Sequence, residues 1–280
     1  MADHEGEAGG IAAGEAKAGV GNVAGVRQQV LGAPLVEYFL RLGDDRLILG
    51  HRMSEWTGHG PILEEDIATA NLALDLIGQA AQLLKLAGET EGKGRDENAL
   101  AYFRDGTQFR NCLLVELPNG DFGDTMLRQF VFDAHSVLLL DELTRCGHAQ
   151  LAAIATKALK EDKYHLRHSS EWVVRLGDGT AESRARMQAS VARLWKYTGE
   201  LFVTDAVDLA AQAAGITIDM PGIKSRWDTL VDDVFARATL ARPADGPMQG
   251  GGRRGRHTEH IGHLLATMQS VARAHPGATW

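Results

Sequence analysis

From Pro34 onward, apolar residues recur at steps of three and four, and no stretch alternates strictly between apolar and polar, so the spacing predicts an all-α chain. A first helix is expected over residues 35–56, followed by a turn at Gly58, His59, Gly60 and Pro61. Pro61 can open the second helix, because its missing N–H would be unpaired there in any case. Glu64, Glu65 and Asp66 suit the positive end of that helix, which should run to about residue 87. Along it, Leu63, Ile67, Ala70, Leu74, Ile77, Ala81 and Leu84 read as the bundle seam, and Leu72, Leu76 and Leu83 read as a contact face for another chain. Residues 96–116 read as a further helical stretch, ended by Leu117, Pro118, Asn119 and Gly120. Long helices are expected over 122–145 and 150–176, the latter capped by a left-handed Gly177. Thr180 can cap a helix to residue 197, and helices over 199–214, 224–240 and 258–274 follow, around a loop at 242–256. Residues 31–280 thus form one helical domain. Residues 1–30, rich in Gly, Ala and Glu, carry too little apolar surface to offset the entropy of ordering and are expected to be a flexible tail.

The helical wheels place polar groups on apolar faces. Asp45 shares a face with Tyr38, Leu42, Leu49, Met53 and Trp56, with Arg41 and Arg52 as local partners. Asn71, Asp75, Gly78 and Gln82 form a polar strip on the second helix. Asp133 lies among Phe122, Met126, Phe130, Val137 and Leu140, with Gln129 and Ser136 beside it, so a cation from another helix is expected to pair with it. Glu161, His165 and His168 share a face with Ile154, Ala158, Trp172 and Leu176. Four inward acids from four helices match the outline of a carboxylate-bridged di-iron bundle, in which two helices also supply a histidine three residues after the acid. Here Asp75 is followed at that spacing by Gly78 and Glu161 by Tyr164, while Asp162 has His165 at the right spacing but points a quarter-turn away from Glu161. Asp45, Asp75, Asp133, Glu161 and His165 therefore read as the positions of a vestigial metal centre closed by ion pairs, with His165, His168, Arg128, Lys157 and Lys160 as the cations at hand.

Composition narrows the classes of function. The formal net charge of −8 leaves no basic footprint for nucleic acid or an anionic membrane surface. The N-terminus lacks a basic-then-apolar leader, and Cys112 and Cys146 each sit in an apolar helical segment, as reduced core thiols would, so a cytoplasmic location is expected. Arg253, Arg254 and Arg256 read as a solvated loop, and Glu259, His260 and His263 as a solvated helix face. His51 and His59 flank a turn without an acidic partner nearby in sequence. No nucleophile elbow, P-loop or dinucleotide fingerprint occurs.

Several stretches resemble one family: Leu42 to Gly50 (LGDDRLILG), Ser54 to Pro61 (SEWTGHGP), Asn71 to Gln79 (NLALDLIGQ), Leu117 to Phe122 (LPNGDF), Tyr164 to Ser169 (YHLRHS), Gly255 to Glu259 (GRHTE) and Pro276 to Trp280 (PGATW). Through them the chain, over residues 34–280, resembles the C-type subunits of phenylacetyl-CoA epoxidases, also called phenylacetate-CoA oxygenases. The resemblance implies a ferritin-like helical bundle with additional C-terminal helices, acting in aerobic phenylacetate degradation as a structural subunit with no catalytic residue and no cofactor of its own. It implies as partners a homologous di-iron catalytic subunit, a reductase using NADPH and flavin or iron–sulfur groups, and small accessory subunits, in a hetero-oligomer; self-dimerisation is a further arrangement it leaves open. Two competing readings remain at this point: a metal-binding oxygenase subunit active in its own right, and a helical binding protein with a CoA or acyl chain in the bundle.

Overall fold

In the computed structural model, which describes residue 1, residues 20–244 and residues 246–278, the chain is all-α: every regular element among the described residues is helical. α1 (Val20–Ser54) packs along α2 (Leu63–Glu91), and the short α3 (Glu97–Tyr102) and α4 (Leu113–Glu116) follow. α5 (Phe122–Leu143) and α6 (Ala149–Gly177) form the second pair, and α2 against α6 closes a four-helix bundle, as a ferritin-like fold requires. α1 begins upstream of the expected residue 35 and carries Pro34 inside it. Ala, Gln, Arg and Leu before Pro34 are competent helix formers, so the helix extends without an amphipathic signal. The expected tail falls mostly outside the described residues. From Val36 to Gly50 every residue of α1 but Glu37 is buried, so this helix is covered on all sides.

The two apolar stripes of α2 exchange roles over its first half, while Leu84 of the expected seam is buried as expected. Leu72, Leu76 and Leu83, expected to be a contact face, are buried in the bundle, whereas Leu63, Ile67 and Leu74, expected to be the seam, are 72%, 54% and 67% exposed. The inward line alternates leucine with Ala73, Gln79 and Ala80, whose weak hydrophobic signal let the larger outward side chains dominate the pattern.

The expected helix over 96–116 is broken into α3, a 3-10 turn at Gly106–Gln108 and α4. Its backbone finds other acceptors: Asp44 and Asp45 of α1 take the amides of Arg110 and Cys112, and Glu200 takes that of Leu113, each at 2.8 Å. Amides held by buried carboxylates are withdrawn from an i→i−4 ladder, so the segment cannot stay helical. Gly177, expected to be a left-handed cap, is the last helical residue of α6, and its missing side chain admits the backbone of Ala238. Thr180 caps α7 (Ala181–Leu194) as expected, accepting from the Ser183 amide at 3.1 Å. A 3-10 segment, Trp195–Phe202, leads to α8 (Ala206–Ala213) and α9 (Met220–Arg237), then α10 (Glu259–Met268) and α11 (Ser270–Ala274). α7 and α9 cover α5 and α6, where Trp227 donates to the Val131 carbonyl at 3.0 Å. Buried apolar side chains from Val36 to Leu265 join in one core.

Candidate functional site

At the middle of the bundle four helices contribute one side chain each to a closed ring of hydrogen bonds. Arg46 of α1 donates through Nε to Gln79 Oε1 of α2 at 2.9 Å and through Nη2 to Ser136 Oγ of α5 at 2.9 Å. Gln79 and Ser136 both donate to Asp162 of α6, at 2.8 and 2.6 Å. Arg46 Nη2 lies 3.9 Å from the Asp162 carboxylate, and its Nη1 returns to the Leu42 carbonyl at 3.2 Å. All four side chains are buried. The ring satisfies each charge with a counter-charge and fixed donors, the condition on which a buried ion pair is tolerated.

The acid of α6 in the core is therefore Asp162, where Glu161 was expected. Glu161 is 25% exposed and lies at a groove, holding Gln79 Nε2 at 2.9 Å and Lys157 at 3.9 Å. The inward line of α6 is Ala155, Ala158, Asp162, His165 and Ser169, and its small residues were outweighed in the sequence pattern by the half-buried Ile154, Trp172 and Leu176. Asp75 is likewise at the groove, 41% exposed, and reaches inward only to accept from His165 Nε2 at 3.1 Å. His168 and Trp172 both bond Glu65, at 2.9 and 2.8 Å. Asn71, Gly78 and Gln82, the rest of the polar strip, face outward.

Asp133 is buried as expected, but its partners are Gln129 Nε2 at 2.7 Å and Ser169 Oγ at 2.8 Å, and among the described residues no cation bonds it. Arg128 is spent on the Leu117 carbonyl and Asn119, and the lysines of α6 face outward. Burial pushes the Asp133 carboxyl up to about 7; nearby His165 opposes the shift and Asp162 adds to it. On His165, burial acts downward but is outweighed by the Asp75 hydrogen bond and the charges of Asp133, Asp162 and Asp75, so its affinity for a proton is raised. Unfolded Asp133 would release its proton near 3.8 while the folded group holds it to about 7, so stability falls as pH rises through that window. The loss should amount to roughly 2–3 kcal/mol between pH 5 and pH 7. Asp133→Asn keeps an acceptor and adds a donor for the orphaned Gln129 Oε1. Urea titrations at both pH values should show that most of the slope is gone in D133N, and an unchanged slope would refute the assignment.

A second set of buried acids secures the end of the bundle. Asp44 pairs with Arg104, Nη1 lying 2.9 Å from Oδ2. Asp45, expected to use Arg41 or Arg52, instead pairs with Arg253 at 2.7 and 3.1 Å, while Arg41 holds Asp205 and Asp208 and Arg52 bonds the Glu116 carbonyl and Glu55. Arg253 is thus mostly covered at the end of the bundle, while Arg254 and Arg256 are solvated. Glu116 accepts from His257 Nδ1 at 2.7 Å, Asn111 at 2.8 Å and the amide and hydroxyl of Thr258. Glu200 takes the amides of Gly251 and Arg253. Gly252 permits its backbone to lie against the Asn111 carbonyl, where a Cβ would collide. His51 is largely buried, which pushes it down to about 4, and His59, Glu259 and His263 are exposed. Cys112 and Cys146 are free thiols, and burial pushes Cys112 up.

Arg46 and Gln79 escaped the sequence reading, and Asp162 was set aside for its orientation. The available signal was in α1, where large apolar residues between Val36 and Gly50 fall on several faces around the charges, so that some of those charges are buried with them. Among the described residues no group of three or more His, Cys, Asp or Glu side chains is arranged to hold a metal ion.

Residues 26–280 match the family described as phenylacetic acid catabolic protein. The chain is 47% identical over 246 residues to the C-type subunit of the 1,2-phenylacetyl-CoA epoxidase of Escherichia coli (strain K12), an alignment covering 88% of this chain and 99% of that one.

Proposed function

The chain belongs to the phenylacetic acid catabolic protein family, and from that premise we propose that it is the structural, non-catalytic subunit of a ring 1,2-phenylacetyl-CoA epoxidase. In this reading it pairs with a homologous di-iron subunit that binds the substrate and activates oxygen. A reductase delivers electrons from NADPH through flavin and iron–sulfur groups, and small accessory subunits complete a hetero-oligomer. The reading puts the complex in the cytoplasm, a reducing compartment that two unpaired thiols favour.

The observation that carries the proposal is the Arg46 guanidinium. The residues at the bundle centre do not fit a di-iron centre. They offer two carboxylates, Asp162, already engaged by Gln79 and Ser136, and Asp133, held by Gln129 and Ser169, with a fixed positive charge 3.9 Å from Asp162. Two unit charges about 4 Å apart interact by roughly 4 kcal/mol at an effective dielectric constant of ~20, and the repulsion doubles for a divalent ion. Of the buried imidazoles there, His165 is bonded to Asp75 and lies 3.7 Å from Asp162, and His135 of α5 directly precedes Ser136 and meets the field of Arg46. The chemistry that iron supplies is therefore assigned to the partner, and this chain contributes a rigid surface.

Metal analysis of the purified chain tests this directly. Substoichiometric metal alone, with iron and epoxidation in the co-expressed complex, is the expected result, and chelators should leave the melting temperature unchanged. Roughly two irons bound per isolated chain would overturn the proposal in favour of an oxygenase subunit active in its own right.

A further inference from the structure

Leu63, Ile67 and Leu74 stand on one side of α2 with most of their surface in water, and α2 contains an 18-residue window of mean hydropathy 1.2 that is only 44% buried in this fold. By length and composition α2 could cross a bilayer; here it is a bundle helix with an uncovered apolar face. Beside that face, α2 and α6 part to leave a groove of about 440 Å³, because Gly78, Ala153 and Ala158 are too small to fill the space between the helices. Asp75 and Glu161 stand on its two walls, each with one carboxylate oxygen that no described side chain or amide bonds. Lys157, 3.9 Å from Glu161 and 76% exposed, is too loosely held to neutralise them.

We propose that this α2–α6 face seats the catalytic subunit of the complex, through a helix that presents large apolar side chains and one basic side chain reaching Asp75 and Glu161. The inference rests on the structural-subunit reading and names the surface that serves it. Charge selects the occupant. A bilayer would bury both groove acids, and its anionic headgroups would meet the exposed Glu64 at the same end of α2. A second copy seated by a twofold axis through the groove would bring its own Asp75 and Glu161 against these. An apolar ridge carrying an arginine or lysine meets both requirements, and its buried anchors would supply most of the affinity.

The test uses the full chain co-expressed with the catalytic subunit from the same genome. I67E/L74E changes two exposed side chains, so its melting temperature should stay within ~2 °C of the parent. Its association with the catalytic subunit should weaken by at least ~100-fold, and E161Q should weaken binding by a smaller factor together with a shallower salt dependence. Retained binding by I67E/L74E, with the parent chain also binding, overturns the proposed face and leaves the structural-subunit reading standing. Failure of the parent chain to bind the catalytic subunit overturns both. A parent dimer that I67E/L74E converts to monomers without loss of the heteromeric complex assigns the face to a second copy, and flotation of the parent but not the variant on phosphatidylserine vesicles, with the complex intact, assigns it to a membrane; either result overturns the proposal.

Discussion

Arg46→Met should destabilise the protein by about 3–5 kcal/mol, the usual result of leaving one member of a buried ion pair behind. The ring explains why. Methionine fills much of the arginine's volume, so the loss is electrostatic: Asp162 keeps the Gln79 and Ser136 hydrogen bonds but loses the guanidinium 3.9 Å away, leaving His165 beside it. Removing the stranded charge as well should reverse part of the loss. In R46M/D162N the amide oxygen still accepts from Gln79 while its NH2 donates to Ser136 Oγ, which no longer accepts from Arg46, and the double variant is expected to be more stable than R46M by about 2 kcal/mol. Urea denaturation of the three proteins decides the matter. An R46M variant within ~1 kcal/mol of the parent, or a double variant no better than R46M, would mean that the guanidinium does not neutralise the centre.

The second large effect is expected far from the bundle centre. Arg253→Met removes two bonds to Asp45 and the donor for the Arg41 and Arg110 carbonyls, and leaves a nearly inaccessible carboxylate without its counter-charge. A loss of about 3–5 kcal/mol follows, which for a chain of this size lowers the melting temperature by roughly 10 °C. Arg254→Met and Arg256→Met, at exposed positions in the same short segment, should each stay within about 0.5 kcal/mol of the parent. Equal effects at the three arginines, measured by thermal melts, would refute the pairing.

The contrast among these arginines marks the limit of what the sequence discloses. Asp45 and Asp133 were readable as buried because bulky neighbours, Leu42 and Leu49 for one, Met126 and Phe130 for the other, define an apolar face around them. Asp162 and Gln79 were not, because the inward lines of α6 and α2 use alanine and serine, whose weak signal yields to Ile154, Trp172, Leu63 and Leu74 on flanking or outward faces. The α-helical architecture and the Thr180 cap followed from local spacing alone. The break at 103–112 did not, since its cause lies in acids of α1 more than sixty positions away, and Arg253 reaches across a separation of 208 residues.

That separation bears on how the protein is made. During synthesis Asp45 is already in place when the four long helices emerge, yet its counter-ion is added 208 residues later. Until then the end of the bundle holds a carboxylate that only water or the Cys112 amide can satisfy. The pair cannot close before the 253 region has been made, whatever the order in which the helices form. A chain whose synthesis stops short of the 249–258 segment is therefore expected to lack the contacts that secure Asp45, Glu116 and Glu200 at that end of the bundle, and the segment acts as its latch.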